Sequence, residues 1–384
     1  MRGSIDEQAP LYHVFSVEDR IRPDHPLRDI KLRVDRILDG MSASFAKAYS
    51  VTGRPSVPPE RLLKALLLMT LYSVRSERQL CERIDTDLLF RWFLDLQPSD
   101  EAFDATTFTH NRKRLDDHRL TATFFAGVVG EAIAAGLCSE HFSVDGTMIE
   151  SFASVKSFQP KDASKAGDDA SPPDGNGFKS RNAEVDFHGQ KRTNKTHASR
   201  TDPESRLHRK GCGKEATLSH MGHALGENRN GLILGITVTE ANGTAERTAA
   251  LDLVDRLKSE HGRVPKTLGS DKGYDGGEYY RGLETRGVEP HGAMIGERLR
   301  SADEVPRKER LNAEARHRMK ARQSTEGYRL SQRCRKRIEE VFGWLKTIGG
   351  LGRSRVVGRW KLQQLLEVGA AAFNLVRLRK LKPA

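Results

Sequence analysis

The apolar pattern of this chain changes near residue 138, and this change restricts the possible fold more than any other feature. Before it, apolar residues recur at helical spacing, for example in residues 62–68 and at Leu80 and Ile84. After it, short alternating runs typical of strands, beginning with residues 141–147, are interspersed with helical segments. The sequence therefore predicts an α/β (α+β) chain in which an all-helical N-terminal domain, residues 1–137, precedes a mixed domain, residues 138–384.

The mixed domain is predicted to contain a hairpin, two further strands and several helices. Residues 215–224 and 231–240 are rich in strand-forming residues and are separated by an Asn230-Gly231 turn signal. A helix is predicted to begin at Thr244. The other predicted elements are strands at residues 265–271 and 288–295, a helix containing Ile338, Val341, Phe342 and Leu345, and a last helix at residues 360–378.

Residues 156–214 form a polar stretch that lacks a clear strand or helix pattern. Its first part is rich in Pro, Gly, Asp and Ser, and its second part is basic. Such a composition cannot bury enough apolar surface to offset the entropy of ordering. The sequence therefore predicts a basic insertion that is structureless and mobile in the free protein.

The charge of the chain indicates a polyanionic partner but does not establish one. Lys and Arg number 64 against 52 Asp and Glu, a net charge of +12. Nucleic acid is a usual partner of such a chain, although a merely basic protein of another class is equally compatible with the charge.

The cysteines and the apolar runs exclude several classes of protein. The four cysteines are far apart in sequence, so no zinc ribbon, dithiol redox site or disulfide scaffold is indicated, and a reducing cytoplasm is the expected compartment. The longest apolar run, residues 62–74, is interrupted by Lys64 and is too short to cross a bilayer, so no membrane association is expected.

Three acids have a context that favours catalysis. Asp145 and Asp271 are each predicted to end a strand, and Glu339 lies early in a predicted helix. Oxygen ligands without a His/Cys cluster suit Mg²⁺ or Mn²⁺ better than zinc, and two such ions can catalyse phosphodiester chemistry. A single Asp near a turn is more often a cap, so the prediction depends on the three acids together.

Three segments carry a resemblance to a known family: FSVDGTMIESFAS, LGSDKGYD and RCRKRIEEVFGWLK. In this order they resemble the catalytic blocks of the DDE transposases of bacterial insertion sequences, and among these most closely the IS-five family within the IS-four-like set. The similarity extends to GRPSVPPERLLKALLLMTLYSVRSERQL in the helical region and to ANGTAERTAALDLVDRL after the hairpin, and covers most of residues 12–360.

The resemblance implies a fold and an activity. The fold is an RNase H-like catalytic domain at residues 138–384 behind a helical domain that is expected to bind DNA, with a plain helical packing domain as the alternative. The activity is that of a transposase, which binds terminal inverted repeats, cleaves the DNA ends and joins them to target DNA. Asp145, Asp271 and Glu339 would be the catalytic residues and would bind two Mg²⁺ ions, or Mn²⁺ in their place, with DNA present. A homo-oligomer assembled on DNA is the expected active form.

The third segment also suggests DNA contacts. The family spacing is matched by Arg335, Glu339 and Lys346, which would share one face of a continuous helix, whereas Glu340 is rotated away. Gln332 stands where the family has a tyrosine. Arg335 and Lys346 are therefore predicted to bind DNA phosphates, and a solvated salt-bridge stripe is the alternative.

Lys272 and Tyr274 follow the second acid directly and are also predicted to approach DNA. Solvated turn residues are the competing interpretation. His220 and His223 have a spacing that allows a metal pair, but structural or DNA-facing histidines are the more common interpretation.

Two other functions remain compatible with the sequence. The first is a metal-dependent nuclease that cuts DNA without joining it. The second is a domesticated, non-catalytic DNA-binding regulator, which the intact set of three acids disfavours.

Overall fold

A computed structural model describes residues 16–50, 52–53, 55–161, 192–209, 215–296, 299 and 301–381. The helices are α1 (Val17–Arg20), α2 (Pro26–Gly40), α3 (Ser42–Ala48), α4 (Pro59–Leu71), α5 (Glu77–Thr86), α6 (Leu88–Phe93), α7 (Thr106–Asp117), α8 (Leu120–Ala134), α9 (Ala245–His261), α10 (Gly277–Thr285), α11 (Arg310–Arg322), α12 (Glu326–Cys334), α13 (Arg337–Thr347) and α14 (Arg359–Leu378). The strands are β1 (His141–Glu150), β2 (Phe158–Pro160), β3 (His197–Ser199), β4 (Arg206–His208), β5 (Thr217–Glu227), β6 (Ile233–Glu240), β7 (Thr267–Ser270) and β8 (Glu289–Gly292). The prediction of a mixed α/β chain is confirmed.

The helices before residue 138 begin where the sequence indicates. Pro59 occupies the first turn of α4, where a missing N–H is tolerated. Ser76 caps α5 by accepting a hydrogen bond from the Gln79 N–H at 3.2 Å. α4 is almost entirely buried because apolar residues cover most of its circumference.

The main sheet combines antiparallel and parallel strands. Its order is β4-β5-β1-β7-β8, and β6 pairs with the side of β5 that β1 leaves free. β5 is antiparallel to both of its long neighbours, β1 and β6, whereas β7 and β8 run parallel to β1. The parallel connections require crossovers, which α9 and α10 supply.

Helices cover both faces of this sheet. A Cβ atom at Gly235 would lie 3.0 Å from Leu253 of α9. On the opposite face of β5, a Cβ atom at Gly222 would lie 3.2 Å from Leu366 of α14. The side chains of both helices therefore pack directly on the strands.

The polar stretch at residues 156–214 is only partly as expected. Its described residues form β2, β3 and β4, and β4 extends the edge formed by β6 beside β5. The expectation of a structureless segment is therefore wrong for these residues, because backbone pairing compensates for their low apolar content. Residues 162–191 and 210–214 lie outside the described residues.

The continuous helix expected to carry Arg335, Glu339 and Lys346 is interrupted near its start. α12 ends at Cys334 and α13 begins at Arg337, so Arg335 lies in a turn between two helices.

No helix in the described part of the chain is long and apolar enough to span a bilayer.

Candidate active site

Asp145 and Asp271 lie side by side on adjacent parallel strands. β1 and β7 pair through Ser143 and Gly269, and each acid is two residues further along its strand direction. Since side chains alternate between faces, both carboxylates start on the same face of the sheet. Asp271 follows the end of β7 as expected, but Asp145 lies within β1, which continues to Glu150, and the prediction that it ends a strand is wrong.

Local hydrogen bonds orient both carboxylates. Asp145 Oδ1 accepts from the Gly146 N–H at 2.9 Å. Asp271 caps a short 3₁₀ turn by accepting from the Gly273 N–H at 2.8 Å. Each carboxylate is thus held by the backbone that follows it, and for Asp271 this is the usual bond of an Asp that begins a turn.

α12 and α13 cover the face on which these carboxylates start. Ser331 of α12 packs over Gly269, where a Cβ atom would lie 2.9 Å from its hydroxyl oxygen. Gln332 donates from Nε2 to the backbone carbonyls of Ser270, at 3.2 Å, and of His291. The residue in the place of the family tyrosine therefore ties α12 to the ends of β7 and β8.

Glu339 lies in the first turn of α13 with its side chain exposed, while its neighbour Ile338 is buried against β5 near Gly226. Burial raises the pKa of Asp145 from 3.8 to about 6, and the negative charges of Asp271 and Glu339 add to this rise while Arg335 opposes it. The three predicted acids and Arg335 therefore interact electrostatically beside the middle of β1 and the end of β7.

The predicted DNA-contacting residues have different surroundings. Lys272 is exposed, and Lys346 is half-buried on α13. Arg335 is half-buried, and its Nε has no hydrogen-bond partner within the described part of the chain. Tyr274 is fully buried, which does not fit the surface contact with DNA expected for it.

Glu246 lies beside the predicted acids and was missed by the sequence reasoning, which assigned it to a helix start. It occupies the first turn of α9, on the sheet face opposite α13. Burial raises the pKa of Glu246 from 4.5 to about 7, with further contributions from Asp271 and Asp145 and an opposing one from Arg247. An acid at the start of the crossover helix between two strands was the only sequence signal for it.

The two histidines of β5 do not form a metal pair. They are three residues apart, so their side chains point to opposite faces. His220 Nε2 is hydrogen-bonded to Asp202 Oδ2 at 2.9 Å, and His223 Nε2 to Thr239 Oγ1 at 2.7 Å. Both rings are buried and structural.

The carboxylates match the oxygen ligands that Mg²⁺ and Mn²⁺ prefer. Among the residues that the structure describes, no group of three or more His, Cys, Asp or Glu side chains is arranged to hold a metal ion. The donor chemistry therefore fits a divalent cation, whereas a complete protein cage for it is not formed.

Comparison with protein families identifies two matching segments. The family described as Transposase DDE domain matches residues 179–375, slightly more than half of the 384 residues. This segment includes Glu246, Asp271 and Glu339 and begins after Asp145. The family described as Transposase domain (DUF772) matches residues 15–114, in the helical region. No curated protein and no solved structure matches the chain.

Proposed function

This chain belongs to the family of transposases with a DDE domain, and we propose that it is an insertion-sequence transposase of the IS-five type within the IS-four-like set. It binds the terminal inverted repeats of its element, cleaves the DNA ends and joins them to target DNA. The observation that carries this proposal is the in-register placement of Asp145 and Asp271 on parallel strands, with Glu339 on the helix pair that covers the same face.

The fold we propose for residues 138–384 is RNase H-like, behind a helical DNA-binding domain at residues 1–137. The order β6-β5-β1, in which β5 is antiparallel to both neighbours, followed by the parallel strands β7 and β8, supports this proposal. Helices on both faces of the sheet support it as well.

Asp145, Asp271 and Glu339 are the proposed ligands of divalent cations, Mg²⁺ or Mn²⁺, with two ions present when DNA is bound. Bound cations would supply Lewis-acid activation of the attacking oxygen and stabilisation of the leaving oxygen. Mg²⁺ is commonly held by one or two carboxylates together with substrate phosphates and waters, which agrees with an incomplete protein cage.

Arg335 and Lys346 are the proposed phosphate contacts, and Lys272 is a further DNA contact from its exposed position. Arg335 already faces the negative charge at Asp145, and its unpartnered Nε can donate to a phosphate oxygen. The excess of positive charge over the whole chain favours DNA association. Two DNA ends must be brought together for joining, so we propose a homo-oligomer assembled on DNA.

A paired assay tests this function. Duplexes carrying uncut ends of the element measure cleavage, and pre-cut ends with Mn²⁺ and a target plasmid measure joining. Joined product that depends on Asp145 supports the proposal. Cleavage without joining would indicate the nuclease, and binding without either reaction would indicate a non-catalytic regulator.

A further inference from the structure

Glu246 reaches the site between two glycines that border the predicted acids. A Cβ atom at Gly146 would lie 2.9 Å from Glu246 Oε1. A Cβ atom at Gly273 would lie 3.0 Å from Glu246 Oε2 and 3.1 Å from Asp271 Oδ1. The carboxylates of Glu246 and Asp271 therefore lie around the same point, and a side chain at either glycine would separate Glu246 from the site.

The sequence folds Glu246 into this position through the start of α9. Asn242 Oδ1 accepts from the N–H groups of Thr244 and Ala245 at 3.1 and 2.7 Å, which fixes the first turn of the helix. Glu246 forms no ion pair within the described part of the chain. Its half-buried carboxylate lies near Asp271 and Asp145, an arrangement that burial and like charges disfavour and that Arg247 offsets only in part.

Two buried polar groups near this carboxylate have no hydrogen-bond partner among the residues that the structure describes. The hydroxyl of Tyr274 is fully buried and has no hydrogen-bond partner among the described residues. Burial raises the pKa of Tyr274, and the charges of Glu246, Asp145 and Asp271 add to this rise, so the ring lies within electrostatic reach of these acids.

The second group is His223 Nδ1, which is also buried and unpartnered in the described part of the chain. It would lie 3.2 Å from a Cβ atom at Gly146, on the side where Glu246 Oε1 lies. Buried polar atoms normally have partners, so two such atoms beside one carboxylate indicate a polar ligand at this place.

We propose that Glu246 is a fourth carboxylate of the active site and that it shares a divalent cation with Asp271. The proposal rests on the transposase function above. Two carboxylates suffice for Mg²⁺, because waters and phosphate oxygens complete its coordination. A cation-bound water is the polar ligand that can pair with the Tyr274 hydroxyl and with His223 Nδ1. The four carboxylates then come from both faces of the sheet, Glu246 from α9 and Glu339 from α13.

Cation binding tests the proposal without relying on activity. Mn²⁺ binding to the 384-residue chain, with and without pre-cut end DNA, is measured by the loss of the free Mn²⁺ electron paramagnetic resonance signal. Glu246→Gln should weaken Mn²⁺ binding at least tenfold. The matched control is Glu278→Gln, since Glu278 also lies in the first turn of a helix, α10, and is exposed. Melting in EDTA shows that both variants are folded.

A thiol substitution separates ligation from a structural role. Glu246→Cys should lose cleavage in Mg²⁺ and regain it in Cd²⁺, because Cd²⁺ binds thiolates well. The native chain assayed in Cd²⁺ is the reference. If the native chain binds Mn²⁺ and cleaves DNA, and Glu246→Gln binds Mn²⁺ with the same affinity, only the role of Glu246 is overturned. A native chain that neither binds Mn²⁺ nor cleaves would overturn the proposed function and this inference together.

Discussion

At the scale of single residues, Glu339 differs from its neighbour Glu340 in what it faces. The charge of Glu339 reaches Asp145, whereas Glu340 lies 3.8 Å from Arg377 of α14. Two consecutive acids on one helix therefore have separate environments. This difference provides a matched control for the proposed metal ligands.

We expect Asp145→Asn, Asp271→Asn and Glu339→Gln each to lower end cleavage by about 10³-fold, because a bound metal contributes several kcal/mol to such reactions. End binding should change little, since DNA contacts lie elsewhere. Glu340→Gln should retain most activity. Single-turnover cleavage and a gel-shift assay with the same duplex measure both properties, and near-native cleavage in any of the first three variants would remove that residue from the site.

The raised pKa of Asp145 makes a second prediction about stability. In the unfolded chain this carboxyl titrates near 3.8 and in the folded chain near 6, so the folded state binds more protons between these values. The free energy of unfolding therefore falls as pH rises through this window, and the loss persists above it. Asp145→Asn removes the effect and should be more stable than the native chain at pH 7 by on the order of 1–3 kcal/mol in EDTA.

Urea denaturation at pH 4, 5.5 and 7 measures this difference. The advantage of the variant should be small at pH 4 and grow towards pH 7, and addition of Mg²⁺ should reduce it by stabilising the native chain. A pH-independent difference would mean that Asp145 ionises normally in the folded protein.

Sequence reasoning found the residues whose pattern lies in one short segment and missed a residue whose position depends on contacts distant in sequence. Asp271 and Glu339 belong to short segments whose order along the chain is informative. Glu246 shows only the pattern of a helix start, because its approach depends on Gly146 and Gly273, which are distant in sequence. Tyr274 lies in the turn after Asp271, a position that favours exposure, but contacts with α9 and with the ring of Tyr279 bury it.

At the scale of elements, the turn between α12 and α13 sets the position of Arg335. The N–H groups of Ile338 and Glu339 bond to the carbonyls of Arg335 and Lys336, three residues earlier, so the chain tightens there. A sequence pattern that continues through this turn cannot reveal it. The prediction that Arg335 and Glu339 lie on one continuous helix is therefore wrong, although both residues still act electrostatically on Asp145.

We expect Arg335→Ala and Lys346→Ala to weaken end binding or cleavage without changing Mn²⁺ affinity. Each lost phosphate contact should lower the slope of log K against log salt by about one unit. Arg335→Lys should remain impaired because a lysine cannot form a bidentate contact, whereas Lys346→Arg should be mild. If both alanine variants bind and cleave DNA like the native chain across a salt series, Arg335 and Lys346 are only solvated charges and do not contact DNA.

Gln332 gives a prediction about the same pair of helices. Its amide joins α12 to the ends of β7 and β8, next to Asp271. Gln332→Ala should lower the free energy of unfolding by about 1 kcal/mol and reduce cleavage, because α12 is then less firmly placed. Gln332→Glu, which cannot donate to the two carbonyls, should behave similarly in urea denaturation and cleavage assays. If both variants have the same free energy of unfolding as the native chain, Gln332 does not hold α12 on the ends of β7 and β8.

At the scale of the whole molecule, α14 joins the helical region to the sheet. It packs against α4 and α8 on one side and against β6 on the other, and most of its residues are buried. Thr121 of α8 donates a hydrogen bond to Glu367 of α14 at 2.6 Å, and Gln364 donates to the Arg112 carbonyl at 2.9 Å. The apolar pattern of α14 predicts burial, but the sequence contains no sign of which elements cover it.

This shared helix makes a prediction about the boundary near residue 138. We expect the chain to unfold in a single cooperative transition, because separating the helical region would expose the α4 and α8 side of α14 and remove the hydrogen bond from Thr121 to Glu367. A fragment of residues 138–384 should therefore be unfolded or aggregated, although the boundary matches a change of sequence pattern. Calorimetric and van't Hoff enthalpies measured on the whole chain should agree.

Leu366→Ala, which removes a side chain 1 % exposed at the centre of α14, should lower the free energy of unfolding by about 2–5 kcal/mol. Since Leu366 also packs on Gly222 of the sheet, its loss should shift the whole transition rather than split it. Two resolved transitions, or a folded fragment of residues 138–384, would show that the helical region and the sheet are independent units and that α14 needs only β6.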